Sequence, residues 1–77
     1  MSVIIYSTPT CPYCKQAKQY FKEHNVQYEE KDVSADSAAQ AEMTKKSGGF
    51  MGVPVIDING TIITGFDKPK IEAALKS

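Results

Sequence analysis

Val3-Ile4-Ile5-Tyr6, then Thr8-Pro9-Thr10, then Cys11-Pro12-Tyr13-Cys14 is the stretch that decides how this chain reads. Its β-branched and aromatic start has no breaker, so residues 2–6 read as a buried strand that the Thr-Pro-Thr segment ends. A helix can begin just beyond, with Thr10 as its N-cap and Pro12 in the first turn, where a missing N–H costs nothing. Cys14, Ala17, Tyr20 and Phe21 then recur at helical spacing, which predicts a helix to about Asn25. Cys11 falls at the N-terminus of that helix and Cys14 one turn in. These are the chain's two cysteines, and thiols at that spacing can close a disulfide within one helical turn. The expected chemistry is a dithiol that cycles between reduced and oxidised forms.

Working outward, Val26, Tyr28 and Glu30 alternate with their neighbours up to Val33 and predict a second strand. Ser34 or Asp36 can cap a second helix through Ala38, Ala41 and Met43 to about Lys46. After the break at Ser47-Gly48-Gly49, residues 53–58 alternate, Asn59-Gly60 is the dipeptide of a tight type I′ hairpin, and residues 61–64 continue as its partner strand. Asp67 followed by Pro69 opens a last helix, with Ile71, Ala74 and Leu75 on one face. The sum is an α/β order, βαβαββα. It implies a four-stranded mixed sheet in which the first two strands are parallel, the hairpin is antiparallel, and three helices cover both faces.

At 77 residues the chain is expected to form one domain, residues 1–77, burying about 60% of its unfolded surface. Function should therefore sit on one face. Nine Lys plus Arg balance nine Asp plus Glu, a formal charge of zero, which removes the long-range argument for nucleic acid or an anionic membrane as partner. The apolar start is too short for a signal peptide or a spanning helix and lacks a basic region before it, so a cytoplasmic protein is expected. Two cysteines this close would enclose a loop too short to stabilise a small fold, which again favours chemistry over stapling.

A thiolate, not a thiol, attacks a disulfide, and the N–H groups at a helix N-terminus favour the thiolate of Cys11. Cys11 is the candidate nucleophile. Cys14 is placed to attack a mixed disulfide on Cys11 and release the reduced substrate, which makes it the resolving thiol. Lys15 and Lys18 read as a solvated helix face. The same Cys-x-x-Cys spacing also supplies half of a zinc site or holds a soft metal. The further ligand would be His24, roughly 15 Å from Cys14 at about 1.5 Å rise per residue, and it reads as a surface residue near the helix C-terminus. No bound cofactor and no metal site are expected within one chain. An iron-sulfur or copper carrier, in which two chains share a metal through Cys11, is the alternative from another class.

Cys11-Pro12-Tyr13-Cys14 after the first strand, paired with Val53-Pro54-Val55-Ile56 at the start of the third, resembles the glutaredoxin family within the thioredoxin fold. The resemblance covers the whole chain. It implies the same βαβαββα arrangement and thiol-disulfide exchange with protein disulfides and glutathione mixed disulfides, with glutathione as co-substrate. It also implies that Cys11 is the nucleophile, Cys14 the resolving cysteine, and Pro54 a cis-proline facing the dithiol. The backbone of Val53 would then face the site and could pair with a cysteinyl peptide such as glutathione. Tyr13 would be an apolar wall for that ligand, or else a simple exposed aromatic in a turn. Gly65, Phe66 and Asp67 fall where the family holds the rest of glutathione, although Asp67 can equally be the N-cap of the last helix.

The chain departs from the family pattern at three places. Thr8 stands where a lysine is usual, Gly52 where a threonine precedes Val-Pro, and Thr64-Gly65-Phe66-Asp67-Lys68 where Gly-Gly-x-Asp-Asp is usual. An expected cation for the ligand's carboxylates is lost and Lys68 reverses one of two acidic positions. Gly49-Phe50-Met51-Gly52-Val53-Pro54-Val55 and Gly65-Phe66 look instead like the glutaredoxin-like redoxins that serve ribonucleotide reductase and are reduced by thioredoxin reductase. Phe50, Met51 and Phe66 are expected either to form an apolar docking patch or to pack on the core.

Overall fold

The computed structural model describes residues 2–49 and 52–76. Seven elements follow one another: β1 (Val3–Ser7), α1 (Pro12–Glu23), β2 (Glu29–Asp32), α2 (Ser37–Lys46), β3 (Val55–Ile58), β4 (Thr61–Thr64) and α3 (Lys68–Lys76). The strands form one sheet in the order β2-β1-β3-β4. β1 and β2 run parallel, and β1–β3 and β3–β4 are antiparallel. This is the βαβαββα mixed sheet that the sequence predicts.

Strand alternation sorts the core onto two faces. Val3 and Ile5 of β1, with Ile56 and Ile58 of β3, pack against Ala17, Tyr20 and Phe21 of α1 and Ile71 and Ala74 of α3. Tyr6 and Val55 point the other way, onto Ala39 and Met43 of α2. A polar network fastens α2 to that second face. The Tyr6 hydroxyl donates to Glu42 and accepts from Lys46 Nζ at 2.9 Å, Lys46 also reaches Asp57 at 2.8 Å, and Lys31 reaches Glu42 at 3.2 Å.

Several boundaries move for local reasons. Thr10 does not cap α1; Cys11 does, with an extended backbone (φ −92°, ψ 113°) and its own sulfur accepting the Cys14 N–H. α1 ends at Glu23 because Asn25 turns left-handed (φ 56°) while Asn25 N–H bonds Lys22 O and Val26 N–H bonds Phe21 O, a Schellman closure with asparagine in the glycine position. That closure takes Val26 out of the second strand, whose ladder with β1 begins at Glu29. Asp36 caps α2 through the N–H groups of Ala38 and Ala39, whereas Ser34 folds back onto Asp32. β3 starts at Val55, two residues later than its alternation suggests, because Pro54 has no N–H to give a ladder and its carbonyl is taken by Gly65 N–H at 2.8 Å. Asn59 and Gly60 both have positive φ (51° and 93°), as a type I′ hairpin requires.

Candidate active site

The turn between β1 and α1 brings the two thiols together in a fixed order. Cys11 N–H donates to Thr8 O at 3.4 Å, which folds the loop back on the end of β1. Pro12 then opens the helix, and the first free helical N–H to find a partner is that of Cys14, 3.2 Å from Cys11 Sγ. The sulfur does the work that a serine or aspartate oxygen does at other helix starts. Cys11 is 8% exposed and Cys14 0%, so of the two residues only the first keeps any contact with solvent. Both are free thiols.

The third strand supplies the opposite wall. The Val53–Pro54 peptide is cis, and the Val53 carbonyl faces the site, accepting from Cys11 Sγ at 3.8 Å. Val53 and Gly52 are half-buried, and Gly65 (φ 81°) closes the wall by bonding Pro54 O. Tyr13, between the two cysteines in the first turn of α1, is 61% exposed. Cys11, Cys14, Tyr13, Val53, Pro54 and Gly65 thus share one end of the sheet.

Other sequence expectations resolve toward structure. Phe66 packs on the first core cluster, edge-on to Tyr20 with ring centroids 6.2 Å apart, rather than standing out as a docking surface. Asp67 is the cap of α3: its carboxylate accepts from Lys70 N–H at 3.4 Å and its carbonyl from Ile71 N–H at 2.9 Å. Lys68, at the reversed acidic position, lies 5.9 Å from the Tyr20 ring centroid. His24 closes α1 and stacks on Tyr20 at 4.3 Å. Phe50 and Met51, the other two members of the expected apolar patch, lie outside the described residues.

Burial pushes the Cys14 thiol up to about 12, the adjacent Cys11 sulfur adds to the rise, and a backbone hydrogen bond with Thr8 works against it. One cluster beside it was not foreseen. Lys18 is not simply solvated: its Nζ lies 2.7 Å from Glu30 Oε2, and that same oxygen accepts from Ser7 Oγ at 2.8 Å. The Lys18 ammonium, more than Ser7, holds the Glu30 carboxyl below its ordinary range. The signal in the sequence was the i, i+4 spacing of Cys14 and Lys18, but meeting Glu30 required the β1–β2 register, which sets Ile5 opposite Glu30.

Residues 3–63 match the family profile described as Glutaredoxin. The chain belongs to the glutaredoxin family. Glutaredoxins related to it include Glutaredoxin 3 of Escherichia coli, 38% identical over 66 residues, covering 86% of this chain and 78% of that protein. A shorter relative, an uncharacterized glutaredoxin-like 8.6 kDa protein in the rubredoxin operon of Clostridium pasteurianum, is 44% identical over 72 residues, 94% of this chain and 95% of its own. Among solved structures, the thioredoxin-like protein BC3987 in its T8A mutant form superposes with a TM-score of 0.90 at 32% identity, covering 97% of this chain and 95% of that one. As a glutaredoxin, the chain is a thiol-disulfide oxidoreductase. Among the described residues no helix is long and apolar enough to cross a membrane.

Proposed function

We propose that this glutaredoxin is a two-thiol, glutathione-dependent enzyme that reduces protein disulfides and glutathione mixed disulfides in the cytoplasm, with no resident cofactor. The observation that carries the reading is the asymmetry of the pair: Cys11 keeps a small exposed area beside the Val53 carbonyl, and Cys14 is wholly buried. Cys11, as thiolate, attacks one sulfur of the substrate; a Cys11–substrate disulfide forms and the other sulfur leaves as a thiolate. Cys14 then attacks Cys11 Sγ, closing the Cys11–Cys14 disulfide and expelling the second substrate sulfur. Two glutathione molecules supply the two electrons that restore both thiols and leave as oxidised glutathione. Pro54 shapes the wall, Val53 offers its backbone to the cysteinyl part of the ligand, and Tyr13, Gly65, Phe66 and Asp67 border the remainder.

Replacing Cys11 by Ser is expected to abolish turnover of every disulfide substrate, whereas Cys14→Ser keeps deglutathionylation by the one-thiol route and loses reduction of protein disulfides. Steady-state assays on the two variants decide this, and equal survival of both would sink the assignment.

A second reading has its own support. Asp67 is occupied as a helix cap and Lys68 sits over Tyr20, so this rim offers a glutathione molecule less acidic anchorage than the family pattern does. That favours a redoxin reduced by thioredoxin reductase, with ribonucleotide reductase as one candidate acceptor of its electrons.

A further inference from the structure

The two-thiol reading leaves one chemical problem. A thiol pushed up to about 12 is almost entirely protonated at neutral pH, yet resolution needs it as a thiolate. Few charged groups come near it. From α1 these are Cys11 and Lys18, one helical turn before and one after. β1 brings the buried Ser7 and the backbone of Thr8, and β2 brings Glu30, which meets Lys18 rather than the sulfur.

Lys18 is held, not loose. Its ammonium and the Ser7 hydroxyl converge on one oxygen of Glu30, at 2.7 and 2.8 Å. Ser7 is 1% exposed, so its hydroxyl is pinned by the strand and the carboxylate is pinned by the hydroxyl. Lys18 itself is 24% exposed at the side chain. The group opens to solvent through a cleft of about 320 Å³ lined by Ser7, Pro9, Lys18, Glu30 and Asp32. Lys18 stands one helical turn beyond the buried thiol with its ammonium held in place, and its positive charge favours the ionised form of that sulfur.

We propose that Lys18, fastened by Glu30 and Ser7, is a positioning residue for the resolving step: it keeps a positive charge beside Cys14 so that this sulfur can react as a thiolate. The inference rests on the two-thiol reading above. In the step it serves, the Cys14–Cys11 bond forms and the Cys11–substrate bond breaks with its electron pair on the departing sulfur, which takes up the proton that Cys14 loses.

The test is stopped-flow mixing of the reduced protein with an aromatic disulfide that releases a coloured thiol. Attack by Cys11 releases the first equivalent and resolution by Cys14 the second, so the two steps are read as separate phases. Lys18→Met and Lys18→Gln are each expected to slow the second phase about tenfold at neutral pH and move its pH midpoint upward, while leaving the first phase unchanged. Lys18→Arg, which keeps the charge, is expected to keep the second phase. An unchanged second phase in both neutral variants, equal slowing of both phases, or failure of Arg to preserve the rate would overturn the role of Lys18. Absence of a second phase in the unmutated protein would overturn the two-thiol reading itself.

Discussion

At the scale of single residues, two cysteines of the same motif are given opposite surroundings by three residues of separation. Cys11 ends the loop and caps α1, and Cys14, one turn in, is wholly buried. Buried in this way, with its thiol pushed up to about 12, Cys14 is shielded in the reduced protein from reagents in solution. Brief treatment of the folded, reduced protein with iodoacetamide is therefore expected to alkylate one cysteine, Cys11, and denaturation to expose the second; peptide mass spectrometry reads the sites. Labelling of Cys14 before Cys11 would contradict the assignment. Both cysteines were legible in the sequence because a motif fixes their spacing. The role of Lys18 was not, because its partner Glu30 is brought near by strand register rather than by local spacing.

At the scale of elements, α2 shows how a helix with few apolar contacts is held. It buries only Ala39 and Met43, and the network of Glu42 and Lys46 with Tyr6, Lys31 and Asp57 supplies the rest of its attachment to β1, β2 and β3. The Tyr6 hydroxyl first, and Lys31 next, hold the Glu42 carboxyl down at about 2 against an ordinary value of 4.5. A carboxyl with a lower value in the folded state stabilises fully above the unfolded value and loses that contribution as pH falls through the folded one. The expected loss thus lies between about pH 4.5 and 2, and Glu42→Gln should flatten this acid limb in thermal unfolding followed against pH. An acid limb as steep in Glu42→Gln as in the parent would remove Glu42 from the account. Helix and hairpin signals were readable where chemistry is local, as at Asn59-Gly60 and Asp36. The ends of α1 and β2 were misjudged because Asn25, not glycine, makes the left-handed stop, and Val26 is spent closing the helix.

At the scale of the whole molecule, the sheet order β2-β1-β3-β4 puts β1 in contact with both the parallel strand and the hairpin. The loop after β1 and the segment before β3 therefore meet at one end, which is why Cys11 faces Val53 across 42 residues of sequence. The alternation of Val3, Ile5, Ile56 and Ile58 made the strands readable, and the mixed pairing followed from a crossover helix and a tight hairpin. What alternation could not give is how the rim meets a partner, since Asp67 reads equally as a helix cap and as a ligand contact, and the structure shows the cap. Whether this dithiol glutaredoxin draws its electrons from glutathione is decided by following NADPH consumption with a glutathione mixed disulfide as substrate. One arm contains glutathione and glutathione reductase, the other thioredoxin reductase alone. Turnover in the glutathione arm is the predicted result, and turnover confined to the thioredoxin reductase arm would contradict it.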